Sequence, residues 1–313
     1  MTMQDQILRT PESCFAGLSQ FAFAPHYLAL ASKTGPEVRL HYLDENAGRP
    51  LTALLLHGEP TWSFLYRHMI PPVVAAGFRV VAPDWIGFGR SDKYALIEAY
   101  SYQLHVDSLR ALIEQLDLQR IVLVCQDWGG PIGLRVLAEM PERFAAVLAT
   151  NTLLPTGEPP PRGVADWPGA GIRQWVDFAT VATDLAIDEI VASVAVQRLA
   201  PEGLAGYRAP FPSPAYKAGP LAFPRLIPVN EHMPGYDENR AAWQVLERFN
   251  APFVTAFSDS DPSTQPWAAV FQQRIPGARG RRHPLIPGAG HFVQEEQGGE
   301  LARILVELMH EVS

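Results

Sequence analysis

Asp127 stands in "LVCQDWGGPIGL", Leu123 to Leu134, where an apolar run suited to a strand gives way to Trp128, Gly129 and Gly130 and then to a helical pattern. A strand-to-helix bend pushes its apex side chain out at the carboxyl end of a sheet, beside the free backbone N–H groups of the helix N-terminus. A carboxylate in that place is suited to act as a nucleophile, although aspartate also caps helices without doing chemistry. No G-x-S-x-G sequence occurs, so a serine nucleophile has no home. Asp261 follows a predicted strand in "FSDSDP", and His291 follows the last one in "GAGHF". Taken singly, Asp261 or Asp259 reads as a turn former ahead of Pro262, and His291 as a loop histidine. Three such residues at three strand ends, in the order nucleophile, acid, histidine, favour a catalytic triad. Another strand end, "LLHGEPTWS", carries His57-Gly58-Glu59-Pro60 and suits the Glu59 backbone N–H as an oxyanion donor; the alternative is an ordinary glycine turn.

These residues need a sheet to present them. The runs "HYLALA" and "VRLHYLDE", separated by "SKTGPE", read as antiparallel strands joined by a Gly-Pro turn at one sheet edge. "TALLLHG", "RVVAPDW", "RIVLVCQD" and "AAVLATNT" are short apolar runs of the kind buried on both faces. Between them lie helical patterns: "FLYRHMIPPVVAAG", "SYQLHVDSLRALIEQLDL" with Ser101 as N-cap, and "GGPIGLRVLAEM". The alternation predicts an α/β fold with a mostly parallel, doubly wound sheet and helices on both faces. It breaks near Pro155, where a Pro- and Gly-rich stretch holds the helical patterns "GIRQWVDFATVA" and "IDEIVASVAVQRLA". We therefore expect a core of residues 1–154 and 230–313 with a helical insertion, 155–229. The core rhythm resumes through "APFVTAFSD", "PWAAVFQQ", "RRHPLIPG" and the amphipathic "GELARILVELMH".

The composition narrows the partners. The net charge of -8, from 25 basic and 33 acidic residues in 313, comes without basic runs, so nucleic acid is not an expected partner. Cys14 and Cys125 are far apart and form no C-x-x-C pair, which suits a reducing cytoplasm. No basic n-region opens the chain and no apolar stretch is long enough to span a bilayer, so a soluble cytoplasmic protein without membrane contact is expected. "GFGRSD" lacks the third glycine and downstream acid of a dinucleotide loop, and no H-E-x-x-H occurs; neither cofactor nor metal is expected.

"LLLHGEPTWSFLYR", "APDWIGFGRSDK", "QDWGGPIGL", "APFPSPAYKAGPLAFPRLIP", "FSDSDP" and "GAGHFVQEE" together resemble the haloalkane dehalogenases of the α/β-hydrolase fold, from about Phe21 to the C-terminus. "HGEPTWS" with "QDWGG" is the specific part, while "GFGRSD" marks the wider superfamily. The chain departs from the generic elbow at Cys125, where many hydrolases carry glycine; this cysteine is read as packing. The resemblance implies that Asp127 displaces halide from carbon to form an alkyl ester. His291 then activates water, Asp261 orients His291, and the backbone N–H groups of Glu59 and Trp128 hold the oxyanion. The products are a primary alcohol, halide and a proton.

The resemblance also implies that the indole N–H of Trp128 receives the halide. A carboxylate is already ionised at neutral pH, and an indole offers a donor with no acceptor to repel an anion. A second halide donor is implied at Trp175, in "IRQWVDF", with Trp167 in "ADWPG" as the alternative. Trp62, Trp85, Trp243 and Trp267 are read as core or pocket wall. The Glu59 side chain stays open between a place near the hydrolytic water and a role in the turn. The implied partners are a small apolar halogenated substrate and halide, for a monomer or weak homo-oligomer. An epoxide hydrolase would use the same triad with cap tyrosines, for which Tyr207 and Tyr216 are available. A fluoroacetate dehalogenase would want arginine at position 128, and a non-catalytic ligand binder would have no reason to keep the whole triad.

Overall fold

The computed structural model describes residues 6–31, 37–156, 170–228 and 230–313. Near the N-terminus come β1 (Ile7–Leu8), β2 (His26–Leu30) and β3 (Val38–Glu45). β2 and β3 pair antiparallel, as the two runs flanking "SKTGPE" predict, and their Gly-Pro turn lies outside the described residues. The next elements are β4 (Thr52–Leu56), α1 (Ile70–Ala75), β5 (Arg79–Pro83), β6 (Lys93–Tyr94) and α2 (Tyr102–Gln115). They lead to β7 (Ile121–Asp127), α3 (Gly129–Glu139) and β8 (Phe144–Thr152). Ser101 caps α2, its side chain accepting the Leu104 N–H at 3.1 Å.

After β8 the described chain runs through α4 (Ala170–Val181), α5 (Ile187–Ser193), α6 (Pro201–Arg208) and α7 (Ala218–Ala222), with no strand among the described residues of this stretch. Then follow α8 (Tyr236–Leu246), β9 (Phe253–Thr255), β10 (Phe257–Ser258), α9 (Trp267–Arg274), β11 (Leu285–Ile286) and α10 (Val293–Glu311). Among the described residues the main sheet has seven strands in the order β2-β3-β5-β4-β7-β8-β9, parallel from β5 to β9. Two short pairs stand apart: β1 with β6, and β10 with β11. Leu54, Leu55 and Leu56 of β4 are fully buried, worth about 1.5–3 kcal/mol each in transfer from water. The sheet and the helices on it form an α/β-hydrolase fold.

Two local readings need correction. "FLYRHMIPPVVAAG" is not one helix: a 3-10 turn at Ser63–Tyr66 precedes α1, because Pro71 and Pro72 lack an N–H and clash with carbonyls one turn back. α10 opens with a turn from Val293, kinks at Gln297, and from there runs through "GELARILVELMH" as expected. Its Gly298 faces His68, where a Cβ would come to 2.8 Å. α8 is absent from the sequence reading altogether. Its Asn239 and Trp243 side chains donate to the carbonyls of Pro155 and Leu154, fastening the point where the chain leaves the sheet.

"GFGRSD" turns inward on a carboxylate of its own chain. Asp84 is fully buried and accepts from Ser63 N–H, Arg90 N–H and His41 Nδ1 at 2.7–2.8 Å. A Cβ on Gly89 would lie 2.0 Å from that carboxylate. No helix among the described residues is long and apolar enough to cross a membrane.

Candidate active site

Asp127 closes β7 with φ +48°, the left-handed conformation of a sharp elbow, which aspartate tolerates better than most residues. The neighbouring glycines make that elbow possible. A Cβ on Gly129 would sit 2.2 Å from the Leu56 carbonyl oxygen, and one on Gly130 would sit 1.8 Å from Thr152 Oγ1. Thr152 in turn donates to the Asp127 carbonyl at 2.6 Å. Gly58 leaves room for the carboxylate itself, since a Cβ there would fall 2.3 Å from Asp127 Oδ1.

The Glu59 N–H donates to Asp127 Oδ1 at 2.8 Å. Its aim follows from the Gly58 carbonyl, which accepts from His57 Nδ1 at 2.9 Å, from Thr61 Oγ1 at 2.9 Å and from Thr61 N–H at 3.0 Å. A planar trans peptide points its N–H opposite its carbonyl, so pinning one side aims the other. Burial lowers His57 to about 4, keeping it neutral, and its Nε2 is free to accept the Trp85 N–H at 3.1 Å.

His291 lies in the loop after β11, with its side chain 14% exposed. Its Nδ1 is 3.0 Å from Asp261 Oδ2, and its Nε2 is 3.4 Å from Asp127 Oδ2. A carboxylate only accepts, so Nδ1 carries the hydrogen. Asp261 also accepts from Thr264 Oγ1 and from Ser263 N–H at 3.0 Å. Burial alone would raise the Asp261 carboxyl, but the His291 charge and these hydrogen bonds hold it below the usual range. For His291, burial opposes the charged ring, yet Asp261 and Asp127 together lift it to about 10. Asp259 lies elsewhere, accepting from Ser260 and from Gly288 N–H as a turn former.

Two residues that sequence reasoning missed hold the histidine. Asn151, at the end of β8, donates to the carbonyls of Gly290 and His291 at 2.9 Å and to Ser258 Oγ at 2.8 Å. The buried Gln126 amide lies 3.1 Å from His291 Nε2 and donates to the His291 carbonyl at 3.3 Å. The available signal was a polar side chain at the end of an otherwise apolar strand run.

Asp127, Trp128, Glu59 and His291 form part of the wall of a cavity of about 530 Å³, otherwise lined largely by apolar side chains such as Leu153, Ile172, Pro224 and Phe292. Trp128 packs edge-on against Tyr102 and Phe223. Trp175 reaches the same cavity from α4, beside the Glu59 carboxyl, whose Oε1 is buried without a hydrogen-bond partner. Burial and the charge of Asp127 push the Glu59 carboxyl well up, against the smaller pull of Trp175 and His291. Trp167 lies outside the described residues. Trp62, Trp85, Trp243 and Trp267 are all buried in the core. Tyr207 and Tyr216 do not line the cavity; the Tyr207 hydroxyl donates to Glu295 at 2.6 Å. Burial pushes the Cys125 thiol up and leaves it inert. Among the described residues no group of three or more His, Cys, Asp or Glu side chains could hold a metal ion.

A doubly wound sheet with an acidic elbow, a histidine and a second acid at three strand ends defines an α/β hydrolase, and the sequence matches that fold family over residues 54–297. It is 46% identical over 306 residues to a haloalkane dehalogenase of Psychrobacter cryohalolentis, covering 98% of this chain and 99% of that protein. With haloalkane dehalogenase 1 of Mycobacterium tuberculosis it shares 44% over 296 residues, covering 95% and 96%. The solved tetrameric structure of haloalkane dehalogenase DpaA from Paraglaciecola agarilytica superposes with a TM-score of 0.84 at 36% identity, covering 96% of this chain and 97% of that one. The chain belongs to the haloalkane dehalogenases.

Proposed function

We propose that the protein hydrolyses haloalkanes through an ester on Asp127. Asp127 Oδ2 attacks the carbon bearing the halogen; the C–O bond forms, the carbon–halogen bond breaks, and halide leaves with the bonding pair. The indole N–H groups of Trp128 and Trp175 receive it. Water then adds to the ester carbonyl carbon while His291 Nε2 takes its proton. The Glu59 and Trp128 backbone N–H groups carry the negative charge on Oδ1. Collapse breaks the bond between that carbon and the alkyl oxygen, which takes the proton from His291. The Asp127 carboxyl sheds its remaining proton, so the net products are alcohol, halide and a proton.

The observation that carries this reading is the alignment of Asp127 Oδ2, His291 and Asp261 with the Glu59 N–H on Oδ1, at the wall of a largely apolar cavity. The electrostatics give the two steps an order. His291 is held charged by two carboxylates, and esterification of Asp127 discharges one of them. The ring then loses part of what raises it, so Nε2 gives its proton to solvent and becomes the base that hydrolysis needs, and the proton later shed by the Asp127 carboxyl restores the charged ring. Tyrosines to protonate an epoxide are not on the cavity wall, which disfavours the epoxide-hydrolase alternative.

Residues 155–229 are read as a cap over a core of residues 1–154 and 230–313, with Trp175 carried by the cap. The unpaired Cys14 and Cys125 support a cytoplasmic setting, and the protein is read as a monomer or weak homo-oligomer. His291→Gln tests the scheme. After exposure to 1,2-dibromoethane the variant should carry a bromoethyl adduct, seen by intact mass and mapped to Asp127. A folded variant that releases bromide without any adduct would remove the two-step scheme.

A further inference from the structure

The loop that carries His291 is fastened to the segment joining α5 and α6. Glu296, in the first turn of α10, accepts the N–H groups of Val196 and Gln197 on Oε1 at 2.9 and 2.6 Å. Its Oε2 accepts the Gly290 N–H at 2.7 Å. The His291 N–H donates to the Val194 carbonyl at 3.1 Å, and a Cβ on Gly290 would fall 1.8 Å from that carbonyl. Val194 and Val196 line the cavity and are 40% and 53% exposed, which places this segment at the cavity rim. One side chain, beside that direct backbone bond, therefore ties the rim to the histidine loop at three further N–H groups.

We propose that Glu296 is a positioning residue for His291, coupling the seating of the 194–197 segment to the hydrolysis of the ester. The inference rests on the assignment of Asp127 as nucleophile and His291 as base. Asp127 is held by the elbow, by Thr152 and by the Glu59 N–H, none of which belongs to the Glu296 clamp. Loosening the clamp should therefore spare carbon–halogen cleavage and slow the step in which His291 must meet water. Misplacing a reacting group by even an ångström is enough to slow a step severely.

Glu296→Gln separates the two sides of the clamp. Its amide oxygen still accepts Val196 and Gln197, while its NH2 meets the Gly290 N–H donor to donor. Glu296→Ala removes both sides, and Glu300→Gln, which loses a pairing with Arg303 on the same helix, serves as control. Bromide and alcohol are followed separately in a single turnover of 1,2-dibromoethane. For Glu296→Gln we expect bromide release within about twofold of the unaltered enzyme and alcohol formation slowed about tenfold. The ester should accumulate, and kcat and KM should fall together so that kcat/KM is nearly kept. Glu300→Gln should match the unaltered enzyme. Unchanged alcohol formation in both Glu296 variants, or an equal loss in the two steps, overturns the positioning role. Absence of any ester in His291→Gln overturns the scheme beneath it, and only that result implicates the reading of Asp127 and His291.

Discussion

His57 and Asp127 act on opposite sides of a single peptide group: the imidazole holds the Gly58 carbonyl at 2.9 Å while the Glu59 N–H of the same peptide reaches the Asp127 carboxylate at 2.8 Å. The N–H proposed as an oxyanion donor is thus oriented by a side chain that never touches the cavity. His57→Ala should leave the Gly58 carbonyl held by Thr61 alone. We expect ester hydrolysis to slow by about 10–100-fold, less than the roughly 100–1000-fold of deleting a donor outright. A buried hydrogen-bond partner left unmatched should also lower stability by about 1–3 kcal/mol. Single-turnover alcohol formation and urea unfolding measure the two effects; full hydrolytic activity would show that the peptide aims itself.

Asp127→Ala should release no bromide from 1-bromobutane or 1,2-dibromoethane. The fold should survive, because Thr152 and the two glycines that shape the elbow are unaltered. Bromide release at a tenth of the normal rate or more, read as about 1.4 kcal/mol or less of lost transition-state stabilisation, would point to a different nucleophile.

The pairing of His291 makes stability depend on pH with a definite sign. Its ordinary value of 6.5 is raised to about 10 in the folded protein. The stability it contributes is therefore fully present below pH 6.5 and is lost as pH rises through 10. The difference in melting temperature between the unaltered protein and His291→Gln should shrink steadily across that window. A difference that grows toward alkaline pH would mean that the ring is neutral in the resting site.

Trp175→Leu should weaken bromide binding about tenfold and slow carbon–halogen cleavage, since one of the two proposed halide donors is removed; hydrogen bonds to a charged group are worth roughly 1.5–3 kcal/mol. Quenching of tryptophan fluorescence by bromide reports the binding. An unchanged quenching curve would transfer the role to Trp167.

Gly130→Ala places a methyl group 1.8 Å from Thr152 Oγ1 and must disturb the bond from that hydroxyl to the Asp127 carbonyl. Overpacking of this kind costs about 1–3 kcal/mol. Denaturant unfolding should show that loss together with reduced bromide release, and a variant as stable and active as the parent would mean the elbow has slack.

Local chemistry made much of this protein legible. Apolar runs of strand length alternating with 3.6-residue periodicity determine the doubly wound sheet, and Asp127, Asp261 and His291 stand out as the proposed triad by residue type, strand-end position and order along the chain. The Pro pair that breaks "FLYRHMIPPVVAAG" and the helix at Tyr236–Leu246 were harder to read. The first hides within a run of good helix formers, and the second binds the chain through Asn239 and Trp243 to carbonyls far away in sequence. What only the tertiary structure decided lies in contacts of that second kind. The aim of the Glu59 N–H comes from His57, the anchoring of the histidine loop from Asn151, Gln126 and Glu296, and the removal of Tyr207 from the cavity from its bond to Glu295. Periodicity and motif spacing record which way a side chain faces along its own strand or helix; they carry no information about which distant carbonyl or N–H the fold will bring to meet it.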